Sequence, residues 1–330
     1  MRASAWRDLL ALGQEVYDAV ASLARDSTRD RAIRDEGEKA LVALNQSVVL
    51  GEWQRAMARA TAAGSRSGGG VASPAPVAEE VAVEEGALLL VAFYRTGEQL
   101  LFPERAVDVR AELDALADRL SAQLKSPITP IAAVQALSSM LFERDGFAGN
   151  VDDYYDPGNS LLDKVLATRK GIPISLSVLF AAVCARVGVS LDMIGLPGHF
   201  LLATRPQAAG EERVFVDAFH GGRLLTLEHC EHIVRSYGVP WSADHARPVP
   251  IDEVWSRQVR NLLNCHKQTG DFDRMLLAER LLQSGDQGTP YERTANAAIP
   301  YPSDEKAGVG GGDGALIHIL QSLLARQNMQ

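Results

Sequence analysis

The chain predicts an α+β fold: a buried helix set against an antiparallel sheet, with helices added at both ends. Three observations carry this. Residues Ile172 to Val187 are apolar on nearly every side, as in a helix enclosed on all faces. Beyond Gly188, two β-like runs, His199 to Thr204 and Arg213 to Phe219, flank the turn-rich stretch 205–212. On both sides of this centre, apolar residues recur at helical spacing.

Taken in order, residues 3–25 place Trp6, Leu9, Leu10, Leu12, Val16, Val20 and Leu23 on an amphipathic helix. A second helix covers 33–62, punctuated near Gly51, and the N-terminal helical segment as a whole is 1–63. The stretch 64–83, with Gly64-Ser65-Arg66-Ser67-Gly68-Gly69-Gly70 and Ser73-Pro74-Ala75-Pro76, has the composition of a flexible linker. A helical subdomain, 84–145, follows. Its helices run over Leu88 to Phe93, over Ala106 to Leu124 with Val109, Leu113, Leu116, Leu120 and Leu124 on one stripe, and from Pro130 to Phe142.

The α+β core is 146–245, and within it Asn159-Ser160 reads as the capped start of a helix entering Leu161-Leu162-Asp163. Residues 246–284 return to helical spacing, interrupted at Gly270-Asp271, and resemble a single TPR-like α-hairpin, too little for a solenoid on its own. The Gly- and Pro-rich 285–314 reads as a disordered linker before a C-terminal helix, 315–330.

With 330 residues, 46% of them hydrophobic, the chain can bury a substantial core. The formal net charge of −9 and the lack of a dense Lys/Arg run argue against nucleic acid or an anionic lipid surface as partner. No window approaches the roughly 18–20 uninterrupted apolar residues that span a bilayer. Cys184, Cys230 and Cys265 are odd in number and far apart, as in a reducing compartment. Asp8, Glu15, Asp18 and Asp26 near the start argue against a transit peptide. Together these point to the cytoplasm, with a nuclear or plastid address left open.

Chemistry is expected where the two β-runs pair. A hairpin centred near Ala208 sets His199 directly opposite Asp217, at the ~4.5–5.5 Å Cβ spacing of opposed residues. A carboxylate there fixes the ring tautomer, the orienting half of a nucleophile–base–acid triad. A one-residue slip would reverse the facing.

Four motifs in order resemble the SirB-type branch of the transglutaminase-like superfamily: Tyr154-Tyr155-Asp156-Pro157-Gly158-Asn159-Ser160-Leu161-Leu162, Gly171-Ile172-Pro173-Ile174-Ser175-Leu176-Ser177, Gly195-Leu196-Pro197-Gly198-His199-Phe200 and Val216-Asp217-Ala218-Phe219-His220-Gly221-Gly222-Arg223. The similarity covers about 135–285. The same module occurs in a eukaryotic F-box protein, which the helices of 84–145 also resemble. The resemblance implies a papain/transglutaminase-like core, with cysteine at a helix start and histidine and aspartate on an antiparallel sheet. It implies that His199 and Asp217 fill the latter two positions and that Pro173 stands in the cysteine's place. The branch itself carries this Gly-Ile-Pro.

Proline suits a first helical position, where its missing N–H would be unpaired anyway, but it offers no nucleophile. Without a nucleophile, His199 and Asp217 are read first as a polar tie between strands, and otherwise as a relict catalytic pair that binds a peptide or small molecule without turnover. Ser175 is the weak candidate nucleophile, and its bland role is hydrogen bonding at the helix start. Cys184 lies about three turns along the helix, some ~16 Å from Pro173, and reads as a small buried hydrophobe.

His220 and Arg223, beside Gly221-Gly222, read as turn residues with solvated tips. His229 and His232 read as an exposed helix face, and 152–156 as a solvated loop anchored by its tyrosines. Cys230 and Cys265 fit no metal-ligand spacing. No metal and no cofactor are expected.

The implied activity is non-catalytic protein–protein recognition of a protein or peptide partner, with ubiquitin-ligase components as candidates. The alternative is a cysteine-independent amidase, protease or transamidase using His199 and Asp217. Trp6-Arg7-Asp8-Leu9-Leu10 resembles at most the tail of an F-box.

Overall fold

A computed structural model describes residues 18, 20–22, 24–28, 31–64, 78–101, 106–206 and 212–285. Most of the expected helix over 3–25, the linker through residue 77, the linker over 286–314 and the C-terminal helix lie outside the described residues. Helix α1 runs unbroken over Arg31–Gly64, so Gly51 does not interrupt it. Helix α2 spans Ala78–Phe93 and starts inside the stretch expected as linker through 83. The short α3 (Gly97–Leu101) follows, and its Leu100 and Leu101 are buried with Ala21, Ala24 and Leu41.

Helix α4 (Val109–Ser121) begins at Asp108, whose carboxylate accepts from the N–H groups of Arg110 and Ala111. Its stripe of Val109, Leu113, Leu116 and Leu120 is buried as the spacing predicts. Helix α5 (Pro130–Ser138) has Thr129 as its cap and Pro130 in its first turn, then continues as a π-helical stretch over Ser139–Arg144.

Helix α6 covers Leu162–Thr168, but Asn159 and Ser160 do not cap it. They lie in a 3₁₀ turn, Pro157–Ser160, capped by Asp156. The Asn159 side chain instead accepts from Asn150 Nδ2 at 2.9 Å through its Oδ1 and donates from Nδ2 to the Asp153 carbonyl at 2.7 Å, so loop partners hold it.

The central helix α7, Pro173–Arg186, is buried from Pro173 through Cys184. It packs on α2 and α4 on one side and on the sheet on the other. Its far end is pinned by Arg186, which donates to buried Glu84 of α2 at 2.7 and 2.8 Å and to Asp114 of α4 at 2.6 Å. These charge-assisted bonds satisfy the enclosed Glu84 carboxylate.

The main sheet is an antiparallel meander in the order β3 (Leu191–Leu196), β4 (His199–Thr204), β5 (Phe215–Asp217) and β6 (Arg223–Leu225). Strands β3 and β6 add to the two runs expected. A second pair, β1 (Ala148–Gly149) and β2 (Lys170–Gly171), is parallel. Helix α8 (Leu227–Ser236) buries Cys230 and Val234 against β3 and β4 side chains.

Helices α9 (Ile251–Thr269) and α10 (Phe272–Gly285) pack together, separated at Gly270 in the left-handed conformation. They also close on α1 and α2. The Trp255 indole donates to Val83 O at 3.3 Å and stands 5.8 Å from the Trp53 ring, whose indole donates to Leu281 O. A Cβ at Gly86 would lie 2.3 Å from the Trp255 ring, so only glycine permits this helix contact. No described helix is long and apolar enough to cross a membrane.

Candidate functional site

The β3–β4 connection sets the position of His199. Leu196 and His199 pair across a two-residue turn, Pro197-Gly198, with Gly198 at φ 71°. Proline followed by glycine is the signature of a type II turn, in which the second central residue requires positive φ. The Tyr237 ring also occupies the space of a Gly198 side chain, 2.5 Å from an ideal Cβ. His199 thus opens β4 at a fixed point, 7% exposed.

Asp217 closes β5 and is fully buried. The chain then winds into a 3₁₀ turn, Ala218–His220, and the Asp217 carboxylate accepts from the His220 N–H at 3.2 Å. Gly221 and Gly222 follow at φ 77° and 71°, and the Gly222 N–H donates to Asp217 O at 2.8 Å. Consecutive positive φ values let the chain reverse tightly here.

The sequence places His199 opposite Asp217, but the register differs. Leu202 pairs with Val216 and Ala203 with Phe215, which sets Asp217 across from Leu201 if extended. A slide of two residues keeps every side chain on its face, whereas a slide of one would not. His199 and Asp217 are therefore diagonal neighbours, and the His199 Nε2 to Asp217 Oδ1 distance is 3.0 Å. The pairing expected from the sequence is present through a different geometry.

The other carboxylate oxygen is also taken. His220, expected as a solvated turn residue, turns its ring inward so that Nδ1 lies 2.7 Å from Asp217 Oδ2. Arg223, on β6, donates from Nη2 to the same oxygen at 3.4 Å, with its side chain 59% exposed. Burial alone would push the Asp217 carboxyl up. The hydrogen bonds and charges of His199 and His220 outweigh it and hold the carboxyl well below the usual carboxylate range. The i, i+3 spacing of Asp217 and His220 before two glycines was the available signal for this contact; a tight turn brings those two side chains together.

Phe219 forms the wall beside these groups. Its ring meets His199 edge-on at 6.2 Å and Tyr154 at 6.2 Å, and an ideal Cβ at Gly149 would lie 2.5 Å from it. Tyr154 thereby brings the loop over 152–156 against the site, while Asp152, Asp153 and Asp156 remain exposed.

Neither Pro173 nor Ser175, at the helix start, is disposed as a free nucleophile. Pro173 is the first residue of α7 and is buried. Ser175 is fully buried, its Oγ accepting from the Ile172 N–H at 3.0 Å and donating to Asn159 O at 2.5 Å. This is the helix-start role expected as its bland reading. The three cysteines are buried as thiols. Burial first, and for Cys230 the negative charge of Asp217 second, pushes Cys230 up to about 12, and burial pushes Cys265 up to about 12. His229 and His232 lie on the exposed face of α8, where His229 Nδ1 accepts from the Thr226 N–H at 3.1 Å.

Although no metal site is expected from the sequence, one group of metal-ligating side chains converges among the described residues: His199, Asp217 and His220 offer ligand atoms all within 4.8 Å of one another.

Comparison with known proteins bears on this arrangement. A family described as the transglutaminase-like superfamily matches residues 107–260, which hold every side chain of the site. A UPF0162 protein of Xylella fastidiosa is 34% identical over 188 residues, 53% of this chain and 66% of its own length. A UPF0162 protein of Pseudomonas aeruginosa is 30% identical over 212 residues, 63% of this chain and 76% of its own length. F-box only protein 21 of Homo sapiens is 34% identical over 154 residues, 45% of this chain and 24% of its own length. The chain thus spans just under two thirds of the Xylella relative and about a quarter of the F-box protein. No solved structure matches it.

Proposed function

We propose that this chain, which belongs to the UPF0162 family of transglutaminase-like proteins, recognises a protein or peptide partner without turning it over. One observation carries the reading. The helix start that faces chemistry in the superfamily holds buried Pro173, and the candidate hydroxyl there, Ser175, is bound to backbone on both sides. A base and its orienting acid without an attacking atom can bind and polarise, but cannot form an acyl-enzyme. Relatedness to an F-box only protein supports a place in substrate recruitment for a ubiquitin-ligase-like assembly. The test of that version is reciprocal co-purification with a cullin adaptor. Stoichiometric recovery is the expected result, and consistent failure with the full chain sinks it.

A second reading rests on the 3.0 Å His199–Asp217 contact, which is the geometry of an oriented general base. It makes the protein a cysteine-independent amidase, protease or transamidase. Release of product from amide substrates, lost in His199→Ala, would favour it over the first.

A further inference from the structure

The geometry assigns to His199, Asp217 and His220 a binding site for one divalent transition-metal ion of the zinc class, a property beyond partner recognition and independent of it. Three features of the donor set point there. Imidazole nitrogen and carboxylate oxygen are the borderline donors that such ions prefer, and two histidines with one carboxylate leave coordination positions free. The ligand atoms lie within 4.8 Å of one another. Metal–ligand bonds of roughly 2.0–2.2 Å in a tetrahedron put donor atoms about 3.3–3.5 Å apart. The two nitrogen–oxygen contacts, 3.0 and 2.7 Å, therefore need to open by less than about 1 Å.

The surroundings are those of a built site. Asp217 is fully buried and His199 is 7% exposed, so both are held by packing, while the His220 side chain is 44% exposed and leaves a path from solvent. The Asp217 backbone is anchored by Gly222 N–H, and its carboxylate by His220 N–H. Phe219, wedged between Gly149 and His199, restrains the imidazole. Such outer contacts orient metal ligands and raise affinity. Both ring nitrogens converge on the one Asp217 carboxylate, and a cation bound there would take them in their unprotonated form. Arg223 opposes binding, since its guanidinium competes for Asp217 Oδ2 at 3.4 Å; its exposed stem lets it swing away.

That competition separates a metal site from a hydrogen-bonded tie. In a tie, Arg223 supports the group. In a metal site, removing it strengthens binding. The test titrates the full chain, stripped with a chelator, with Zn²⁺ against a chromophoric competitor, and follows Co²⁺ by visible absorption. The expected result is one equivalent bound, at least about tenfold weaker in Asp217→Asn and in His220→Gln. Arg223→Ala should bind several-fold tighter. His229→Gln/His232→Gln, on the exposed face of α8, should leave the stoichiometry unchanged. Far-ultraviolet circular dichroism of His220→Gln, a half-exposed position, guards against loss by unfolding. No binding by the wild type overturns the proposal, as does binding that survives His220→Gln or disappears with the α8 pair.

Discussion

Two buried polar groups, one at the start of α7 and one at the start of β4, have similar exposure and very different partners. Ser175 is bound to main chain on both sides, through Ile172 N–H and Asn159 O. His199 is bound to the Asp217 side chain, which in turn holds His220. A side chain satisfied by backbone completes a helix end and loses freedom to react. Side chains satisfied by one another keep exchangeable protons and open donor positions. Burial and polarity therefore do not separate the two residues here; the kind of partner does.

The largest effect that tests this contrast is expected from Asp217→Ala. It leaves two imidazoles and Arg223 around a buried void, and breaking a buried charged set by removing one partner costs about 3–5 kcal/mol. Urea denaturation measures it, and a loss below about 1 kcal/mol would show the carboxylate to be dispensable. Next, Ser175→Ala should cost about 1–3 kcal/mol, because the Ile172 N–H loses its acceptor in a dry interior. A variant of unchanged stability that abolished amide turnover would reverse the contrast and make Ser175 the chemical residue.

A pH effect should arise at a residue outside the site. His266 is 1% exposed, stacks on Tyr94 at 5.5 Å, and burial lowers its pKa despite the opposing charge of Asp271. The unfolded chain then binds more protons than the folded one. The contribution of His266 is present above the ordinary imidazole pKa of about 6.5 and is lost as pH falls below it through the folded value. Thermal melts across that window should show this decline in the wild type and less of it in His266→Phe. The smallest stability change is expected in His220→Gln, about 1 kcal/mol or less, since its side chain is nearly half exposed. A large loss there would place His220 in the scaffold.

The sequence exposes these regions unequally. The all-apolar run over 172–187 and the stripe from Val109 to Leu120 were legible, because burial on all sides or on one face leaves a direct pattern in composition. His199 and Asp217 were legible through motif order, and a two-residue error in register was harmless because strand faces repeat every second residue. Strands β3 and β6 were not. Gly195 and the charge of Asp192 mask the apolar pattern of β3, and β6 is only Arg223–Leu225. The Asn159 cap failed because the side chain is bound instead to Asn150 and to the Asp153 carbonyl in the loop. His220 was hidden for a different reason: a histidine before two glycines is usually a solvated turn residue, and only the inward winding of the 3₁₀ turn gives it a partner.

Intact-mass analysis after saturating the folded chain with serine- and cysteine-directed electrophiles tests the proposed lack of a nucleophile most directly. No adduct on Ser175, Cys184, Cys230 or Cys265 is the result predicted while the fold is intact. A single stoichiometric adduct in the wild type, missing in His199→Ala, would contradict it.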